Sequence, residues 1–374
     1  MVNPYASVLT TIEVCELKTY SCECGNTLYF VNSQCLSCQR VVGFLSDEQV
    51  ISACDIDDLG NWVACYNRKA YRPCKNYSQH NICNWLVPAA DESAYCPSCA
   101  LTDTIPDLSK PENLKLWFKM EQAKRHLLYT LNKLELPISG KSVDSEGLAF
   151  RFLEDEVEAL YGQELTIKKL VMTGHSDGVI TINLKEAEAA KRIKMREMMN
   201  ERYRTLIGHF RHESGHYYWD RLIKDSNKLD DFRALFGDER QDYQVSLERY
   251  YAEGPVQDWH QHCISAYASM HPWEDWAESW AHYLHMVDTL ETANEYDASL
   301  ENRALSNPLS SGQPHTLRYS EDSFHTLLDD WEKLTTLLNA LNRSMGLDDA
   351  YPFMIPPRAR EKLHFIHLLV RNAG

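Results

Sequence analysis

The chain has 374 residues, and its 38 lysines and arginines against 54 aspartates and glutamates leave a formal charge of −16. Nucleic-acid affinity rests largely on cations that neutralise phosphates, so this balance argues against a nucleic-acid binder. A hydrophobic share of 44% supports packed cores rather than disorder, and the length suits two or three domains.

The chain opens with no basic n-region and no apolar run long enough for a signal peptide or a membrane span, which reads as a cytoplasmic protein without a membrane partner. There the twelve cysteines stay reduced, so clustered ones read as metal thiolates rather than disulfides. Eleven of them lie between Cys15 and Cys99, and beyond these only Cys263 remains. This skew, with the Pro-containing connection at 104–111, separates a Cys-rich module over 1–110 from a second domain over 111–374.

In the first module Cys22, Cys24, Cys35 and Cys38 form two close pairs separated by a loop, the way a ribbon brings four thiolates to one tetrahedral Zn2+. Cys74, Cys83, Cys96 and Cys99 make a second set of four whose first pair is split. Four thiolates leave no position for water, so both sites read as structural, replacing a core that a small module cannot build. Cys54, Cys65 and Cys263 read as packed thiols, as does Cys15 unless it joins the first ribbon. Few cations precede Lys110, so the ribbons point to a protein partner rather than nucleic acid, with a thiolate redox switch as the lesser alternative.

Beyond the connection, Leu116, Met120, Ala123, Leu127, Leu131 and Leu134 recur at spacings of three and four, which predicts an amphipathic helix over 112–135, ended by Pro137 and Gly140. Phe150–Phe152 and Val179–Leu184 read as short strands, the second entered through the turn Ser176-Asp177-Gly178. The second strand could lend its edge to an extended peptide, an ordinary structural strand being the alternative. A helix-forming stretch runs from Lys185 to about Ile223, and helical patterns return at 273–291 and 321–344. Tyr351–Pro357 could cover a site or pack as a tail.

The 185–223 stretch contains His212-Glu213-Ser214-Gly215-His216. Residues four apart share a helix face, so His212 and His216 can offer two imidazole nitrogens to one Zn2+. Beside them Glu213 can accept a proton from the attacking water and pass it to a leaving amine, which is the mechanical reason for this spacing. The bland alternative is a His-rich helix in which His209, His212 and His216 are merely packed.

Catalytic zinc usually takes a third protein ligand. Over 272–285, Trp273, Trp276, Ala277, Trp280 and Leu284 form an apolar stripe, while Glu274, Glu278 and His282 form another at spacing four. One carboxylate could ligate zinc while the next hydrogen-bonds a ligating histidine, with Glu274, Asp275 and Glu278 as rivals for the ligand position. Tyr267 is a candidate for holding the oxyanion, against the alternative of a core tyrosine. Asp220 and His209 are weaker supporting candidates, and His260, His262, His271 and His285 could line the cleft.

These residues resemble the bacterial family described as "putative zinc-binding metallopeptidases" with an N-terminal zinc ribbon, along nearly the whole chain. The resemblance is carried by Cys35–Cys38, Cys83–Pro88, Ala123-Lys124-Arg125, Tyr203–Asp220 and Ser265–Leu284. The pairing of His212-Glu-x-x-His216 with Glu274-x-x-x-Glu278 is also similar to the wider gluzincin group. That resemblance implies Glu274 as the third ligand, Glu278 as support for a ligating histidine, and a transition-state role for Tyr267. One departure is the single residue between Cys22 and Cys24, where two are expected.

The expected architecture is α+β: a zinc-ribbon module followed by a mainly helical, zincin-like metallopeptidase domain with a small sheet. The expected ions are one catalytic and two structural Zn2+. The expected substrate is a protein or peptide, and the acidic charge favours a basic one. The competing reading is a catalytically silent, zinc-stabilised binding or regulatory protein.

Overall fold

A computed structural model of the chain describes residues 19–158, 166–198, 201, 203–295 and 323–373. Cys15 lies outside them. The chain is α+β and divides into two compact units, one up to Pro97 and one from Ser98.

In the first unit β1 (Thr19–Ser21) and β2 (Thr27–Tyr29) form an antiparallel hairpin with Cys22 and Cys24 in its turn. Gly25 takes φ +84° and its N–H donates to the Cys22 carbonyl at 2.8 Å, a turn tight enough to gather two thiols only one residue apart. Next come β3 (Val41–Leu45), β4 (Val50–Ile56), β5 (Trp62–Ala64), β6 (Ala70–Pro73) and, after α1 (Lys75–His80), β7 (Trp85–Pro88). These five strands close into a barrel in which β3 meets β7 in parallel. Leu45, Cys54, Ala64, Tyr71 and Leu86 fill its centre, so Cys54 is a packed thiol. The short α2 (Pro97–Ala100) follows.

The sheet of the second unit joins β8 (Thr102–Thr104), β9 (Ala149–Leu153), β12 (Gly174–Ser176) and β13 (Val179–Asn183) in the order β12-β13-β9-β8. A separate antiparallel pair, β10 (Glu156–Glu158) and β11 (Thr166–Lys169), precedes β12. Asp177 and Gly178 take φ of 49° and 78°, the left-handed pair that a two-residue hairpin loop requires. β13 is hydrogen-bonded to β12 on one side and to β9 on the other, so the expected edge at 179–184 is an interior strand. The edge belongs to β12, because the tight turn folds that strand back over it.

α3 (Pro111–Lys133) buries Trp117, Met120, Leu127 and Leu131, and Glu135 in a left-handed conformation follows its end. The predicted 185–223 helix is instead a 3-10 turn at Leu184–Ala187 and two helices, α4 (Ala189–Met198) and α5 (Leu206–Leu222). Thr205 is extended and its Oγ1 accepts the Gly208 N–H at 3.0 Å, starting a new helix that helix-forming composition does not reveal. α6 (Leu229–Phe236), α7 (Tyr243–Glu253), α8 (Trp259–His262), α9 (Pro272–Glu295), α10 (Phe324–Ser344) and α11 (Pro357–Asn372) complete the described helices.

α5 packs directly on α9. A Cβ at Gly215 would sit 2.9 Å from Ala277 Cα and 3.2 Å from Trp280 Cβ, so only glycine permits this approach. Trp276 Nε1 donates to the Gly215 carbonyl at 2.7 Å and Trp280 Nε1 to Ser214 Oγ at 3.1 Å, which satisfies both buried indoles. From α11, the buried Lys362 forms an ion pair with the buried Asp275.

Gly215→Ala must push the two helices apart, and overpacking of this kind costs about 1–3 kcal/mol of stability in chemical denaturation. Lys362→Met strands a buried carboxylate, and its expected cost is about 3–5 kcal/mol by the same measurement.

Candidate metal centre

His212 and His216 lie one turn apart on the face of α5 that meets α9, and the first turn of α9 supplies Glu274. One nitrogen from each histidine and one Glu274 oxygen lie within 4.8 Å of one another. His212 Nε2 is 3.0 Å from Glu274 Oε2, and His216 Nε2 is 3.5 Å from Glu274 Oε1. Glu274 Oε2 is buried with no hydrogen-bond partner. Donor atoms that converge without bonding one another suit a cation, and two imidazoles with one carboxylate form a zinc-type set.

His212 Nδ1 is 2.8 Å from Glu278 Oε1. A carboxylate only accepts, so Nδ1 carries a proton, which leaves Nε2 as the nitrogen that can offer a lone pair to a metal. Ser265 Oγ donates to Glu278 Oε2 at 2.6 Å and holds that carboxylate in turn. Glu278 therefore sits behind His212, while Asp275 is engaged by Lys362.

Burial pushes the Glu213 carboxyl up to about 7, against the pull of His212 and with the help of Glu274 and Glu278. Burial also acts on Glu274, yet His216, His212 and Tyr243 hold it down at about 2. His216 is driven by burial to about 4, which keeps it neutral with a lone pair to offer. His212 is raised well above its usual value, because Glu274 and Glu278 outweigh the effect of burial.

The half-buried Tyr267 ring lies 6.2 Å from that of His212, and burial first, then Glu274, raises its phenol far above the usual range. It stays a proton donor. His209 Nε2 lies 3.1 Å from Glu186, and Asp220 is 3.7 Å from Lys224. His260, His262 and His285 line the cavity that contains His212, whereas His271 Nε2 donates to the Gln241 carbonyl at 3.1 Å. Tyr351 lies on the cavity wall, its hydroxyl 2.7 Å from His282 Nδ1. Two contributors escape sequence reasoning: Ser265, and Tyr243, whose hydroxyl donates to Glu274 Oε1 at 2.9 Å. No helical spacing links either to its partner, so no pattern could have flagged them.

The cysteines form two further clusters, Cys22/Cys24/Cys35/Cys38 and Cys74/Cys83/Cys96/Cys99. Sulfur separations are 3.7 Å for Cys22–Cys38, 3.6 Å for Cys24–Cys35 and 3.7 Å for Cys83–Cys96. Tetrahedral Zn–S bonds of about 2.3 Å imply sulfurs about 3.8 Å apart, whereas a disulfide needs about 2.05 Å. The donor sets thus fit zinc. In the second cluster, the Cys96 N–H donates to Cys74 Sγ and the Trp85 N–H to Cys83 Sγ, at 3.4 and 3.3 Å, which favours thiolate charge.

Three clusters among the described residues predict about three zinc ions per chain, falling by one in His212→Ala, as read by elemental analysis. The metal-free chain should also show a pH signature. Folded Glu213 keeps its proton to about pH 7, whereas unfolded glutamate releases it near its ordinary value of 4.5, so stability falls as pH rises through that window. Glu213→Gln should flatten that part of the slope in denaturation measured across pH.

Residues 113–369 match the family described as "Putative zinc-binding metallo-peptidase", and residues 19–110 match a zinc-ribbon domain. The chain is similar to an uncharacterized protein of Mycobacterium bovis and to uncharacterized proteins of Mycobacterium tuberculosis strains CDC 1551 and H37Rv. Each is 39% identical over 357 residues, 95% of this chain and 95% of the relative. No solved structure matches. With more than half its length matched, the chain belongs to the zinc-binding metallo-peptidase family so described, with a zinc-ribbon domain ahead of the peptidase segment.

Proposed function

We propose that the chain is a zinc-dependent endopeptidase of gluzincin type, with a zincin-like catalytic domain and two structural zinc ions in its ribbons. The observation that carries this reading is the convergence of His212, His216 and Glu274, with the buried Glu213 next to His212 on the same helix. Held by these three residues, Zn2+ would supply Lewis acidity, polarising a carbonyl and acidifying water.

Glu213, in the same cavity lining as His212, takes a proton from the attacking water and returns it to the leaving amine. Tyr267 retains its proton and donates to the developing oxyanion. Glu278 keeps His212 in the tautomer that leaves Nε2 free.

The cavity at this site measures ≈ 1940 Å³ and includes His212, Glu213, Tyr267, Tyr203, Tyr250 and Phe353 in its lining. Its size exceeds the roughly 300–1,000 Å³ of small-molecule clefts, which supports a polypeptide substrate and cleavage within a chain. β12 ends the sheet and can accept an extended peptide through its main chain. The charge of −16 favours the approach of a basic protein or peptide at low ionic strength. No described helix is long and apolar enough to cross a membrane. We place the protein in the cytoplasm, where its thiols stay available to metal.

Glu213→Gln should retain the full zinc count while turnover of a peptide library, followed by mass spectrometry, falls by about 10²–10⁴-fold. Hydrolysis at the unmodified rate would remove Glu213 as the base.

A further inference from the structure

Tyr243 is the first residue of α7, where Asp242 Oδ1 accepts the Val245 N–H at 2.9 Å and pins the helix start. Its ring meets that of His271 edge-on at 5.3 Å. His271 is fixed in turn, because its Nδ1 accepts the Trp273 N–H at 3.1 Å while Nε2 donates to Gln241. The His271 carbonyl accepts the Glu274 N–H at 2.9 Å, so the phenol is clamped to the very turn that carries Glu274.

The hydroxyl then donates to Glu274 Oε1 at 2.9 Å, leaving Oε2 as the buried oxygen without a hydrogen bond. A phenol has one proton. That of Tyr243 is committed to Glu274 Oε1.

We infer that Tyr243 is a positioning residue for the centre: by holding Glu274 Oε1 it restricts Glu274 to ligation through one oxygen. This inference rests on the zinc reading of His212, His216 and Glu274.

The test titrates Zn2+ into the full chain after its chelator-labile ion has been removed, with His212→Ala as the blank. Tyr243→Phe should bind about 10–100-fold more weakly and alter the visible spectrum of the Co2+-loaded site, because Glu274 gains freedom to ligate through both oxygens. Tyr267→Phe should keep the wild-type zinc affinity within about twofold and the wild-type Co2+ spectrum, while kcat falls with KM unchanged. Tyr243→Phe with wild-type zinc affinity and spectrum overturns the inference. Should that variant not fold, Tyr243→Met is read in its place by the same titration and spectrum: weaker zinc binding with an altered Co2+ spectrum supports the inference, and wild-type affinity and spectrum overturn it. Wild-type chain binding no more zinc than His212→Ala refutes the metal-centre reading instead.

Discussion

The geometry of the centre depends on how closely two helices can approach. α5 carries His212 and His216, α9 carries Glu274, and the contact between them has Gly215 at its middle. With no Cβ at that position, the backbone of α5 lies against Ala277, and the indoles of Trp276 and Trp280 bond to Gly215 and Ser214. A larger residue would shift one helix along its whole length. Two ligands on one helix and the third on another tolerate little of that, because metal–ligand distances are fixed to a few tenths of an ångström.

Buried charge then fixes the register of the two helices. Arg211, just before His212, bonds Asp288 at 2.5 Å and also contacts His285, both on α9. Asp275, just after Glu274, is tied to Lys362 of α11. His212 and Glu274 thus each have a chain neighbour anchored in the scaffold. Such pairs add little net stability over apolar packing, but a shift in register would strand a charge in the interior, which is costly. A second tier of hydrogen bonds orients the donor atoms themselves: Ser265 on Glu278, Glu278 on His212, and Tyr243 on Glu274.

The Cys-rich unit solves a different problem. Its barrel is small, with only a handful of side chains at the centre, and the hairpin of β1 and β2 lies outside that closed sheet. Such a hairpin is marginal alone in water. Four converging thiols supply what apolar burial cannot, since metal binding there would also be folding energy. The single residue between Cys22 and Cys24 is accommodated because Gly25 can take a positive φ.

The sequence by itself determined what depends on local periodicity and composition. The four-residue spacing puts His212 with His216, and Glu274 with Glu278, on common helix faces, and the cysteine skew separates a ribbon region from a mostly helical one. Glu213 is legible as a candidate base from its place beside the two histidines. Only the tertiary structure decided that Tyr243 holds Oε1 of Glu274 while Oε2 is left without a hydrogen bond, that Glu278 turns to His212, and that Asp275 turns away to Lys362. It also assigned the sheet edge to β12, split the long helical stretch at Thr205, and brought Tyr243 and Ser265 to the site. The reason is that a helix repeat reports which residues share a face, whereas partners across the fold are set by packing distance and turn geometry between segments with no fixed spacing along the chain.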